Sequence, residues 1–111
     1  MRIVSEKISR AELSELAQAG FGDMVKGVVD VRKELVAIDA ELHSDLEAML
    51  LAAGSRQEDV WGINLYPSET EDFIEFDSLI NIRPLQNNRG RGVNDPAIRE
   101  KIIAIVGRWF E

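Results

Sequence analysis

Val60-Trp61-Gly62-Ile63-Asn64-Leu65-Tyr66 alternates, with Trp61, Ile63 and Leu65 on one side and Gly62 and Asn64 on the other. A side-chain period of two is the geometry of a pleated strand, and a face as bulky as this one has to be covered. That requirement commits the chain to a sheet with something packed on it. Residues 73–83 alternate as well, with Ile74, Phe76, Ile80 and Ile82 inward and Glu75, Asp77, Asn81 and Arg83 outward. The acidic stretch 67–72 between them reads as a hairpin loop. Setting Tyr66 against Phe73 places Asn64 opposite Glu75, and the outer face becomes a row of hydrogen-bonding groups.

Helix signals interrupt these strands. Ser9-Arg10-Ala11-Glu12 has the spacing of a capping box; Leu13, Leu16 and Ala17 follow at helical intervals, and Gly20 can end the helix. Ser44-Asp45-Leu46-Glu47 repeats the box ahead of a short apolar helix closed by Gly54, with Asp45 and Glu47 suited to its positive end. Asp95-Pro96 opens a third helix, whose Ile98, Ile102, Ile105, Val106 and Trp109 form a core-facing stripe. Residues 1–4 read as a short apolar strand.

Residues 24–42 fit two templates. As a helix, Met24, Val28, Val31, Leu35, Ile38 and Leu42 keep a spacing of threes and fours. As a hairpin turning at residues 32–35, Val29 and Val31 face Ile38 and Val36, and Lys26 faces Glu41. Valine content, Gly27 and two aspartates inside the run favour the hairpin. The expected order is β-α-β-β-α-β-β-α: one α+β domain over residues 1–111, its sheet mostly antiparallel with helices packed on it.

Several segments taken together carry a resemblance. They are Glu41-Leu42-His43-Ser44-Asp45; Gly54-Ser55-Arg56-Gln57-Glu58-Asp59 leading into Trp61-Gly62-Ile63-Asn64 and Tyr66-Pro67; Ser78-Leu79-Ile80-Asn81-Ile82-Arg83-Pro84; and Asn88-Arg89. With the final helix, the chain resembles over most of its length a family of small uncharacterised prokaryotic proteins, a domain of unknown function. The family pattern carries a glycine pair where this chain has Asp39-Ala40, which favours a strand or turn there. The resemblance implies a fold and a compartment, and no activity.

The chain carries a net charge of −7 and no cysteine, and its apolar runs are only a few residues long. A membrane span is thereby disfavoured, and thiolate metal sites, disulfides and a cysteine nucleophile are excluded. The first residues lack the pattern of a secretory signal, so the expected compartment is the cytoplasm. The acidic balance argues against duplex nucleic acid as a partner.

The charge is unevenly spread. Residues 69–77 hold five acids and no base; residues 83–94 hold three arginines and no acid. Guanidinium forks and glycine-exposed backbone amides hold anions, which makes Arg83, Asn88, Arg89 and Arg91, with Asn64 and Asn81 on the hairpin's polar face, the candidate ligand-binding residues. The competing account pairs these arginines with the acids of 69–77. The one histidine, His43, lies among Asp39, Glu41, Asp45 and Glu47. His43, Asp45 and Glu47 are the candidate metal ligands and His43 the candidate general base, against the simpler role of a histidine bonded to a neighbouring group. Trp61 suits core packing better than ligand stacking. No G-x-S-x-G, P-loop, G-x-G-x-x-G or H-E-x-x-H motif is present, and no cofactor is expected.

The leading expectation is a non-enzymatic ligand-binding or interaction module whose Arg/Asn/Gly loop takes a phosphate, a carboxylate or an acidic partner segment. The alternatives are a small metal-dependent hydrolase or phosphoesterase built on His43, and a structural homo-oligomer subunit packed through Trp109-Phe110.

Overall fold

The structure is a computed structural model describing residues 1–111. Its elements are β1 (Arg2–Ile3), α1 (Arg10–Ala19), β2 (Val25–Asp30), β3 (Leu35–Ile38), α2 (His43–Ala52), β4 (Val60–Leu65), β5 (Ile74–Glu75) and α3 (Pro96–Trp109). Short 3-10 turns lie at Gln57–Asp59, Leu79–Asn81 and Pro84–Gln86. The five strands form one sheet in the order β1-β3-β2-β4-β5, and every neighbouring pair is antiparallel. This is the α+β class, with the element order read from the sequence. No helix is long and apolar enough to cross a membrane.

Alternation along β2, β3 and β4 divides the core into two layers. One face carries Val25, Val29, Val36, Ile38, Trp61, Ile63 and Leu65 against Leu13 and Ala17 of α1 and Ile102, Ile105 and Val106 of α3. The other carries Val28, Ala37 and Val60 against Leu46 and Leu50 of α2. With helices on both faces, β4 is buried at all six positions. Trp61 is core, and so is Phe110, which meets Phe73 edge-on at 6.4 Å. Trp109 packs on the same core and donates Nε1–H to the Glu34 carbonyl at 3.3 Å.

Residues 24–42 are a hairpin, with a register two residues tighter than the sequence suggests. Val29 pairs with Val36 and Gly27 with Ile38, so the turn spans residues 31–34 and Lys26 does not face Glu41. Asp30 sets this turn. Its buried carboxylate accepts from the N–H groups of Arg32 and Lys33 at 2.9 Å each, and from the Ser55 hydroxyl at 2.6 Å. A shift of two keeps every side chain on its face, which is why periodicity alone could not detect it. Asp39 adopts a left-handed backbone, φ 73°.

Two further expectations are corrected. The N-cap of α2 is Leu42, with no side-chain cap, not Ser44. Glu47 does not reach back to that end because it is drawn to Arg83. The strand expected over 73–83 is a ladder only at Ile74 and Glu75, although Asn64 does pair with Glu75. Past that point the chain leaves the sheet, and Asn81, expected outward, is fully buried.

Candidate functional site

The segment that should have continued β5 is replaced by a side chain. The Gly62 N–H donates to Asn81 Oδ1 at 2.8 Å, and Asn81 Nδ2 donates to the Gly62 and Arg91 carbonyls at 2.9 Å each. A carboxamide has the same donor and acceptor pair as a peptide unit, so Asn81 completes the ladder of β4 where no strand is present. Gly62 makes this approach possible. A Cβ there would lie 2.5 Å from Ser78 Cβ, closer than packing allows.

Asn88 repeats the device one layer out. Its Nδ2 donates to the Asn81 carbonyl at 2.7 Å and the Gly92 carbonyl at 2.8 Å, and its Oδ1 accepts from the Asn94 N–H at 2.9 Å. Between them, Arg83 and Asn88 form an antiparallel bridge around Asn87, whose φ is 58°. Asn64, also buried, donates to Glu75 Oε1 at 2.8 Å and to the Asp77 carbonyl at 3.2 Å. All three candidate asparagines therefore spend their amide N–H groups inside the protein, while the Asn64 Oδ1 is buried without a partner.

The arginines part company. The Arg83 guanidinium is turned inward: Nε donates to the Ile80 carbonyl at 3.0 Å, Nη2 donates to the Val60 carbonyl, and Nη2 lies 3.5 Å from Glu47 Oε2. It also stands 4.7 Å from the centre of the Trp61 ring. Arg91 pairs with Asp77 at 2.6 Å on the surface, as the competing reading of the sequence anticipated for this cluster. Solvent screens that contact to within about 1 kcal/mol. Arg89 is exposed with no carboxylate in ion-pair range.

The candidate metal ligands also diverge. Helical spacing puts His43 and Glu47 on one face of α2, but Glu47 meets Arg83 while His43 donates Nε2–H to the Ile63 carbonyl at 2.8 Å. Asp45 is exposed. No three histidine, aspartate or glutamate side chains gather closely enough for a metal ion. Glu58 and Asp59 sit in the turn before β4; Asp59 accepts from Arg32 Nε at 3.1 Å.

His43 has a measurable consequence. Burial pulls its pKa below the ordinary 6.5, assisted by Lys26 and opposed by the Ile63 carbonyl, Asn64 and Asp77. The fold therefore binds the proton less well than the unfolded chain does. Stability from this residue is present above pH 6.5 and falls as pH drops toward the folded-state value. In urea titrations between pH 7 and pH 5, His43→Gln is expected to flatten the acid-side loss relative to wild type. An unchanged slope would show that the imidazole titrates freely in the fold.

Two residues carry almost no signal in the sequence pattern. Leu85 is completely exposed, at 102% of its reference area, and the only hint is an apolar residue after Pro84 in a polar loop. Arg10, which enters the sequence pattern only as an inner position of the Ser9–Glu12 capping box, has its Cζ 3.6 Å from the centre of the Phe73 ring.

The chain belongs to the family described as Protein of unknown function (DUF5674), whose pattern matches residues 2–109. No curated protein and no solved structure matches it.

Proposed function

We propose that this DUF5674 protein is a non-enzymatic interaction module, presenting residues 79–92 to a partner protein with an apolar pocket beside carboxylates. The observation that carries this reading is Leu85, wholly exposed on a loop that is otherwise heavily braced. Leu79 at 66% and Ile82 at 42% exposure extend the apolar surface at intervals of three residues. Three large apolar side chains left uncovered within one short segment point to a surface that a partner covers. Bracing matters because a preorganised loop loses little conformational freedom on binding. Asn81 and Asn88 hold its base, and Gln86 Nε2 donates to the Glu58 carbonyl at 3.1 Å near its tip.

The charge favours an acidic partner over a small anion. Arg89 is the unpaired cation of the loop, while the guanidiniums of Arg83 and Arg91 already meet carboxylates. A cleft of about 450 Å³ beside the loop is lined by Arg56, Glu58, Arg83 and Leu85. One unpaired arginine on an open rim steers and orients an acidic surface, whereas tight capture of a phosphate requires several converging donors.

The test uses the immobilised full chain and lysate of its source organism, with Leu85→Asp and Arg89→Glu as paired variants. Both positions are exposed, so unfolding free energies should move by under about 0.5 kcal/mol. A protein retained by wild type, lost from both variants and released by raised salt is the expected result. Equal retention by all three baits would rule the loop out.

A further inference from the structure

A second cavity, of about 320 Å³, shares no lining residue with the loop. It lies where the short β5 leaves the sheet beside α3, and Phe73, Phe76, Ile103 and Phe110 supply much of its apolar wall. The β4–β5 ladder ends at Glu75, and Phe76 just beyond it leaves the ladder, packs on the larger core layer and lines the cavity. Ile103 is left 52% exposed. Gly107, one turn further along the same helix face, also lines the cavity. A Cβ built at Gly107 would meet nothing within 4 Å, so packing does not require glycine there. Glycine in a helix interior costs about 1 kcal/mol relative to alanine. Gly107 is exposed at the cavity wall, with free space in front of it.

Arg10 stands at the polar side of this cavity. Its Nη1 donates to the Glu69 carbonyl at 3.0 Å and the Pro67 carbonyl at 3.3 Å, which anchors one edge of the guanidinium over Phe73. Its Nε is buried and has no hydrogen-bond partner. A buried cationic donor without an acceptor is costly and rare in native folds. Nη2 makes no hydrogen bond in the fold and is not sealed from solvent, so it is the donor that can meet a ligand carboxylate in a charge-assisted contact.

We infer that this cavity binds a small amphipathic monocarboxylic acid, its carboxylate on Arg10 and its apolar body between Phe73, Phe76, Ile103 and Phe110. The volume and mostly apolar lining are those of a small-molecule site with one orienting polar group. Glu71 lines the same cavity and the chain carries −7 overall, which disfavours a dianion such as a phosphate monoester.

Octanoate is the probe, with 1-octanol as its uncharged counterpart, each titrated into the isotope-labelled full chain and followed by amide chemical shifts. Saturable shifts at Phe73, Ile103 and Gly107 are expected with octanoate, with affinity at least about tenfold above that for octanol. Gly107→Phe, which fills the cavity from a position with free space, should abolish the octanoate shifts and leave the remaining spectrum intact. Arg10→Gln should lower octanoate affinity to the octanol level. Absence of saturable shifts at these amides in the wild type, or octanoate binding unchanged in Gly107→Phe, overturns the site. Equal affinity for octanol and octanoate overturns the carboxylate and the role given to Arg10.

Discussion

Replacing Asn81 with alanine is expected to remove about 2–5 kcal/mol of folding stability, because it orphans both polar groups of Gly62 in the interior at about 1–3 kcal/mol each. Against a typical total of about 5–15 kcal/mol, that is a large fraction. The Gly62 N–H and carbonyl have no strand beside them, and the carboxamide supplies both partners at 2.8 and 2.9 Å. Asn81→Asp should do no better. It keeps an acceptor for the Gly62 N–H but turns a buried carboxylate toward two carbonyl oxygens, those of Gly62 and Arg91. Asn94→Ala is the control, since its side chain makes one exposed contact at 3.3 Å. Urea unfolding of the three variants decides the matter. A loss below about 1 kcal/mol for Asn81→Ala would mean that water replaces the amide at no great cost. Hydrogen exchange adds a second readout: the amides of residues 79–92 should open faster in the alanine variant than those of β2 and β4.

The helices, the central hairpin and β4 were legible because each buries a face whose period is written in the sequence. Ser9 does accept from the Glu12 N–H at 3.1 Å, and Asp95 from Ala97 at 2.9 Å. What periodicity could not supply was the fate of residues 76–92. Ile80 and Ile82 alternate with Asn81 and Arg83 as a strand would, yet Asn81 is buried and Ile82 is exposed. The alternation failed because a carboxamide can act as backbone, and no pattern of polar and apolar letters distinguishes that use from a solvated asparagine. Gly62 was the available signal: glycine inside a strand marks a close approach by another segment. Reading it with Ser78 and Asn81 would have pointed to a docked segment.

The same substitution of roles is why we propose a partner surface rather than a phosphate site for the arginine-rich loop. A loop of arginines, asparagines and glycines resembles an anion cradle in composition, but composition does not say which way the side chains point. Here the asparagines fix the backbone and Arg83 fixes the loop to β4, so Leu85 stands fully exposed and Arg89 is the exposed arginine without a carboxylate partner. The polar residues determine the shape of the surface, and an apolar residue is its most prominent feature.

Arg83→Met should be at least as damaging as the loss of Asn81, about 3–5 kcal/mol, whereas Glu47→Gln should cost under about 1.5 kcal/mol. The two partners of this ion pair are not equivalent. Removing the guanidinium leaves the Val60 and Ile80 carbonyls without a donor, withdraws a cation from the Trp61 ring, and strands a largely buried carboxylate. Removing the carboxylate leaves Arg83 with both carbonyls, the aromatic face and a border on an open cleft. Glu47 holds its partner loosely, at 3.5 Å, and its Oε2 makes no hydrogen bond. Burial raises its pKa above the ordinary 4.5 while Arg83 pulls it down, and burial likewise lowers that of Arg83. A raised carboxyl pKa means the fold binds that proton more tightly than the unfolded chain does. Its contribution is complete below pH 4.5 and declines as pH rises through the folded value, so the ionised pair at neutral pH is a weak stabiliser. Urea midpoints at pH 7 and pH 5 test the asymmetry, with wild type gaining on Glu47→Gln at the lower pH. Equal losses for the two single variants would mean that the arginine is there for the carboxylate. The expected inequality assigns it to the two carbonyl oxygens, as the clamp that carries Leu85 outward from the edge of the sheet.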